Sequence, residues 1–184
     1  PDIFMSDDKE PTYFLTKAEL RRVWPDLESR YPYSTESQYL RLFDSDHDHR
    51  YYGESSTAYS KYPLVSSSPQ KIYSFNSKSR FIYLMRHPVE RALSHYWHAV
   101  ANDGEMRTPL DAIREDSHYI EVSDYYRQLE RYLQYFPRNQ ILCLTTEDLA
   151  SSPELQIDKV TDWLEIERLR SLNTEDRFNV TPEK

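Results

Sequence analysis

Residues 80–96 read Arg80-Phe81-Ile82-Tyr83-Leu84-Met85-Arg86-His87-Pro88-Val89-Glu90-Arg91-Ala92-Leu93-Ser94-His95-Tyr96. The run from Phe81 to Met85 is nearly all apolar and has the length of a strand. Such a run predicts a strand buried on both faces, as in a parallel sheet. It ends at Arg86-His87-Pro88. Proline has a preset φ and no N–H to waste, so Pro88 suits the first turn of a helix. The spacing then puts Val89, Ala92, Leu93, Tyr96 and Trp97 on one face. A second strand is predicted at Gln140 to Thr145. Before it lies a helix over about Ser123 to Phe136, with Tyr126, Leu129, Leu133 and Phe136 inward. After it, Glu147-Asp148-Leu149 leads to a helix from about Pro153 to Leu164, anchored by Leu155, Val160 and Trp163. This order defines an α/β chain with a central parallel sheet flanked by helices. Upstream, Thr16 to Arg30 reads as a short helix. Thr16 is its N-cap, Glu19 completes a capping box, and Leu20, Val23, Trp24 and Leu27 share a face. Pro25 predicts a break in it. Tyr39 to Phe43 suggests a further helical turn, Tyr51 to Ser56 a short strand running into a loop, and Ser66-Ser67-Ser68 a polar punctuation.

Composition narrows the function. The chain has 184 residues, enough for one domain with a real core. Its 23 Lys+Arg against 31 Asp+Glu give a net charge of −8, the opposite of what a nucleic-acid binder carries. Any anionic ligand must therefore be held by a few placed cations. No apolar stretch reaches the length of a membrane span, and the first residues lack the basic and apolar regions of a signal peptide. Cys143 is the sole cysteine, which excludes a disulfide framework and a multi-cysteine zinc site and fits a reducing, cytoplasmic setting. The two glycines, Gly53 and Gly104, cannot write either a G-x-G-x-x-G or a G-x-x-x-x-G-K-[ST] phosphate loop.

The chemistry is concentrated after the first strand. Arg86 leaves the carboxyl end of that strand, where α/β sheets bind ligands. Ser94 lies two turns into the following helix. A guanidinium fork and a hydroxyl placed this way can converge on one phosphate, with Arg91 as a further cation. On chemistry alone a structural reading, in which Arg86 pairs with a nearby carboxylate and Ser94 packs quietly, is favoured, because strand-end arginines are common and often structural.

Residues 83–96 resemble the 3′-phosphate-binding motif of the sulfotransferase superfamily, whose members use 3′-phosphoadenosine 5′-phosphosulfate (PAPS). The family pattern is a strand followed by Arg-(Asp/Asn/His)-Pro-x-(Asp/Glu)-Arg-x-x-Ser-x-(Tyr/Phe). Arg86, Pro88, Glu90, Arg91, Ser94 and Tyr96 match it. Three more segments agree in order. Pro1 to Met5 with Lys9-Glu10-Pro11-Thr12-Tyr13-Phe14 resembles the stretch after the family's first helix. Tyr52-Gly53-Glu54-Ser55-Ser56-Thr57-Ala58-Tyr59 resembles its Gly-Glu-(Ser/Lys)-(Ser/Thr)-Pro-x-Tyr element. Ser123 to Leu129, Phe136-Pro137 and Ile141 to Leu149 resemble its helix, strand and Glu-Asp-Leu turn. Ser123 replaces the usual Gly and Ala58 the usual Pro. The family's phosphosulfate loop, Gly-x-x-Lys-x-Gly-Thr-Thr, would lie upstream of Pro1. Arg177 to Lys184 resembles the entry to its last cofactor loop. The resemblance thus implies one sulfotransferase-like domain over residues 1–184, P-loop-kinase-like in fold and incomplete at both ends.

It also implies a reaction. Sulfonate passes from PAPS to a hydroxyl or amine acceptor, leaving adenosine 3′,5′-bisphosphate (PAP), with no metal. Arg86 and Ser94 would bind the 3′-phosphate. The likeness to heparan sulfate sulfotransferases maps the general base to Glu10, with Lys9, Glu54 and Ser55 facing a small-molecule or glycan acceptor. Ser55 stands where many heparan-modifying relatives carry Lys, which together with the net charge argues against a highly sulfated polysaccharide. The alternative is a non-catalytic PAP-binding module; a P-loop kinase relative fits less well. Other constellations are weaker. Asp44-Ser45-Asp46-His47-Asp48-His49 fails as a calcium loop, because His49 stands at the glycine position and Ser55 at the bidentate glutamate. His87, His95 and His98 form no ligand set of recognisable spacing, and Cys143 reads as a small apolar residue within a strand.

Overall fold

The structure, a computed structural model, describes residues 2–24 and 33–169. In chain order the elements are β1 (Ile3–Met5), α1 (Lys17–Val23), α2 (Glu36–Leu40), β2 (Tyr51–Gly53), α3 (Ser68–Phe75), β3 (Phe81–Met85), α4 (Pro88–Asn102), α5 (Pro109–Glu115), α6 (His118–Glu121), α7 (Tyr125–Leu133), β4 (Ile141–Thr145), α8 (Thr146–Ser151) and α9 (Pro153–Leu164). They sort into two compact units. One comprises the described residues of Pro1–Ser79 with Arg127–Phe136, the other those of Arg80–Tyr126 and Pro137–Lys184. Pro25, Leu27 and the segment Arg177 to Lys184 lie outside the described residues.

In the first unit β1 and β2 pair in parallel, Phe4 opposite Tyr52. Thr16 caps α1 and forms the expected capping box with Glu19. Leu20 joins Leu15, Ala58 and Val65 in the core, with Val23, Trp24 and Tyr59 packed around them. Glu19 does more than cap. Its carboxylate, buried, accepts the backbone N–H groups of Ser66 (2.8 Å) and Ser67 (2.9 Å) and the Ser67 hydroxyl, besides the Thr16 N–H (2.8 Å). The serine punctuation is thus a carboxylate-binding turn. Burial pushes the Glu19 pKa up, but the Ser67 hydroxyl and the Thr16, Ser66 and Ser67 N–H groups outweigh it and bring it down to about 2. A depressed carboxyl stabilises the fold above its unfolded-state value near 4.3 and loses that contribution as pH falls towards 2. Glu19→Gln should therefore cost about 2–3 kcal/mol in urea unfolding at pH 7, because buried donors lose a charged acceptor. The gap to wild type should shrink steadily between about pH 4.5 and pH 2. A gap that stays constant with pH would refute this account of Glu19.

α7 departs from expectation. Gln128 and Tyr132 are buried, whereas Tyr126 and Leu133 are exposed. The Gln128 amide accepts the Tyr62 N–H (2.8 Å) and donates to the Tyr62 carbonyl (2.9 Å), and the Tyr132 hydroxyl donates to the Tyr59 carbonyl (2.9 Å). A side-chain amide that pairs with both backbone groups of one residue has no desolvation cost left to avoid, so a polar position turns inward.

In the second unit β3 and β4 pair in parallel, Phe81 opposite Ile141 through Met85 opposite Thr145. Both strands and the helix start at Pro88 fall where the sequence places them, and the parallel α/β class stands. The expectation that β3 is buried on both faces is corrected. Ile82 and Leu84 are 49% and 47% exposed, while Leu144 beside Leu84 is only 7% exposed. Phe81, Tyr83 and Met85 on the other face are half-buried, so among the described residues the run has one exposed face and one partly covered face. The inward face of α4 is corrected as well. Its buried stripe is Ala92, Tyr96 and Ala99, with Val89 and Leu93 exposed. Tyr96 and Ala99 cluster with Ala112 and Tyr119, and the Tyr96 hydroxyl donates to the Arg107 carbonyl (2.8 Å). In α9 the buried residues are Gln156, Thr161 and Leu164, and Leu155 is exposed. Among the described residues no helix is long and apolar enough to cross a membrane.

Candidate functional site

The sequence-predicted site residues fall into two groups, one in each unit. In the second unit β3 delivers Arg86 to its carboxyl end, directly before α4. The Tyr125 hydroxyl pins the backbone there: it accepts the Arg86 N–H (3.2 Å) and donates to the Arg86 carbonyl (2.7 Å). The Tyr125 ring also stands edge-on to Tyr83 on β3, 6.0 Å between centroids. The next N–H, that of His87, donates to Glu147 at the start of α8 (2.8 Å). That hydrogen bond, its own helix-end N–H and the nearby Arg86 charge hold the Glu147 carboxyl below its usual range. Arg86 is therefore braced through its main chain, which leaves its side chain to reach outward.

The guanidinium meets Glu90, one turn into α4. Nε and Nη2 both donate to the single oxygen Oε2, at 3.3 and 3.2 Å, and the two side chains are 44% and 58% exposed. Ser94 follows Glu90 by four residues and so lies on the same face of α4. It is half-buried, and its hydroxyl has no hydrogen-bond partner among the described residues. The N-cap residue of α4, His87, makes no side-chain cap, so the positive end of a 15-residue helix opens at the same place. Arg91 is not part of this group. Half-buried, it donates to the Ser123 hydroxyl and the Tyr119 carbonyl, tying α4 to the segment after α5. Arg86, the Ser94 hydroxyl and the helix end can all donate, which suits a phosphate. Two carboxylates stand beside them, Glu90 on the Arg86 guanidinium and Glu147 on the His87 N–H.

The first unit holds the other group. Past β1 and β2 the two chains stay linked, Ser6 N–H to the Gly53 carbonyl (2.9 Å) and Glu10 N–H to the Ser55 carbonyl (3.0 Å). Glu10 and Thr12 both have φ of 58°, a left-handed backbone that costs an L-residue about 1–2 kcal/mol and collects at functional sites. The Glu10 carboxylate is aimed by one residue: Oε2 accepts the Thr57 N–H (3.0 Å) and Oε1 the Thr57 hydroxyl (2.7 Å). Thr12 Oγ1 is buried without a partner among the described residues. Glu54 behaves differently from Glu10. Its oxygens accept the hydroxyls of Tyr59 (2.8 Å), Tyr39 (3.1 Å) and Ser56 (2.7 Å). Burial raises its pKa, the three hydroxyls pull against that, and the charge of Glu10 adds to the rise. Burial and the adjoining Glu54 carboxylate push both tyrosines upward as well. Glu54 thus anchors Tyr39 and Tyr59 within an aromatic cluster in which Tyr13 stacks on Tyr39 at 4.4 Å. Lys9 and Ser55 are exposed beside these carboxylates. The Asp44 to Asp48 loop is exposed, and His49 packs between Phe4 (5.4 Å) and Tyr52 (5.7 Å). Cys143 is half-buried in β4.

Sequence reasoning did not single out Tyr125, Thr57 or Glu147, and it placed Glu90 only as a motif position. Glu90 carried a signal in its four-residue spacing from Arg86. Thr57 and Tyr125 act over 47 and 39 residues of chain, and nothing local marks them.

The fold is a parallel α/β one with an arginine at the end of a strand, and the family is explicit. The sulfotransferase domain model matches residues 21–183, so the chain belongs to the sulfotransferase domain family. Glu54, Ser55, Arg86 and Ser94 lie inside that match, and Lys9 and Glu10 lie before it. A curated human relative, heparan sulfate glucosamine 3-O-sulfotransferase 3B1, is 26% identical over 117 residues, which is 59% of this chain and 30% of that protein. Human heparan sulfate glucosamine 3-O-sulfotransferase 5 is 25% identical over 166 residues, 71% of this chain and 45% of that protein. The chain thus spans less than half the length of these relatives. A solved sulfotransferase from Alicyclobacillus acidocaldarius shares the fold with a TM-score of 0.78 and 24% identity, covering 97% of this chain and 77% of that one.

Proposed function

We propose that this chain serves a sulfotransferase that moves sulfonate from PAPS to a hydroxyl or amine of a glycan or small-molecule acceptor. The observation that carries the reading is Arg86, fixed by Tyr125 at the end of β3 and paired with Glu90, one turn before a Ser94 hydroxyl that has no partner among the described residues, at the start of α4. These donors fit the 3′-phosphate, which separates PAPS and PAP from common adenine nucleotides. PAPS supplies a sulfonate joined to a phosphate leaving group; in the transfer a new acceptor–sulfur bond forms as the phosphate oxygen–sulfur bond breaks. The work left to the protein is orientation, proton removal and charge stabilisation. Glu10, held by Thr57, takes the acceptor's proton. Lys9 and Ser55 lie on the acceptor side, and Glu54 supports that side by fixing Tyr39 and Tyr59. The named relatives act on heparan sulfate glucosamine, which favours a sugar hydroxyl. Ser55 and the net charge of −8 favour an acceptor of low negative charge.

The test is transfer itself. With sulfur-labelled PAPS and a panel of neutral glycans, phenols and amines, label should move to at least one acceptor and PAP should accumulate in equal amount. Tight PAP binding without transfer to any acceptor would reject the enzyme reading in favour of a binding module.

A further inference from the structure

The contact between Arg86 and Glu90 is poorly made for a structural ion pair. Two guanidinium nitrogens share one carboxylate oxygen at 3.2–3.3 Å, where a fork-to-fork pair would engage two oxygens at shorter range. Both side chains are about half exposed, so the pair contributes little to stability. Its position is what matters. Glu90 and Ser94 are four residues apart, just over one helical turn and about 6 Å along the axis, and helical side chains lean towards the N-terminus. The Glu90 carboxylate therefore sits on the path from Arg86 to the Ser94 hydroxyl. A phosphate that engages Ser94 and the same Nε–Nη2 edge of Arg86 takes the place of that carboxylate.

We propose that Glu90 is a displaceable stand-in for the ligand's 3′-phosphate: it keeps the Arg86 fork aimed along α4, competes with the phosphate for it, and so shortens the stay of the bisphosphate product. This rests on the reading of Arg86 and Ser94 as the phosphate site. The competition is between a monoanion held through one oxygen and a phosphate with three oxygens and greater charge. The phosphate wins, but by less than it would without Glu90.

Calorimetry and stopped-flow binding of PAP and of 5′-AMP, which lacks the 3′-phosphate, test this on four forms: wild type, Glu90→Gln, Arg86→Ala and the double variant. Glu90→Gln should bind PAP about 3- to 10-fold more tightly, through slower dissociation, with 5′-AMP binding unchanged. In the Arg86→Ala background the same substitution should bring no gain, because the competition runs through Arg86. If Glu90→Gln binds PAP equally or more weakly while Arg86→Ala still loses affinity, the stand-in role is wrong and the phosphate site survives. A gain that persists without Arg86 reduces the effect to general charge and also overturns the proposal. If wild type does not prefer PAP to 5′-AMP, the phosphate site itself is wrong.

Discussion

Arg86→Ala should lower the affinity for PAP by about 30- to 100-fold, which is about 2–3 kcal/mol at 1.4 kcal/mol per decade, and leave 5′-AMP binding within about twofold of wild type. Removing one partner of a hydrogen-bonded charge pair costs about 2–5 kcal/mol at a desolvated contact. Arg86 stands 44% exposed, which places the effect at the low end. Arg86→Lys should fall between the two, since an ammonium restores the charge but not the planar fork. Ser94→Ala removes a neutral donor and should cost less, about 1 kcal/mol. None of these variants should change folding stability much. Among the described residues the Arg86 side chain hydrogen-bonds only the exposed Glu90, and its structural work is done by the backbone held at Tyr125. Calorimetry that finds wild type and Arg86→Ala equal for PAP would remove Arg86 from the site. A loss that is the same for PAP and 5′-AMP would move Arg86 to another part of the nucleotide.

The separation between main-chain and side-chain roles at Arg86 marks what the sequence can and cannot convey. Local rules sufficed for the frame: an apolar run ended by Arg86-His87-Pro88 predicts β3 and the start of α4, and Thr16 with Glu19 predicts the cap of α1. Each depends on residues within one or two turns of one another. Local rules failed on which face turns inward. Hydrophobic spacing chose Tyr126 and Leu133 on α7, yet Gln128 and Tyr132 are buried, because Tyr62 and Tyr59 offer backbone partners 66 and 73 residues away. They also predicted two covered faces for β3, whose Ile82 and Leu84 face outward. The site divides the same way. The motif gave the positions of Arg86, Glu90 and Ser94, and helix periodicity alone puts Glu90 between the other two. The partners that aim these groups, Tyr125 for Arg86 and Thr57 for Glu10, come from distant chain and become visible only once the strands are paired. Polar residues that seem solvated in sequence are the ones most often misread, because a distant donor or acceptor can bring them inside at no net cost.

Thr57 is also the key to the second large effect. Glu10→Gln should lower turnover by about 100-fold or more, the usual contribution of a positioned base, with PAP affinity within about twofold of wild type. The two residues differ by a proton acceptor and a charge, while the shape and one amide oxygen remain to receive the Thr57 hydroxyl. The bond from the Thr57 N–H must then face the other end of the amide, so a modest loss of stability, about 1 kcal/mol, accompanies it. That loss is too small to explain a hundredfold change in rate, which is about 2.7 kcal/mol. Thr57→Val separates aim from basicity. It keeps the N–H bond to Oε2 and deletes the hydroxyl bond to Oε1, so the carboxylate stays basic but gains freedom to turn. Turnover should fall about tenfold, because the value of a catalytic group depends on its being held in place. Both rates are read at saturating PAPS with an acceptor found in the transfer assay, and unfolding by urea is measured alongside. If Glu10→Gln turns over at the wild-type rate, Glu10 is only a tie between the segments after β1 and β2. If turnover and unfolding free energy fall together in both variants, the strained backbone at Glu10 is there for the fold and the base lies elsewhere.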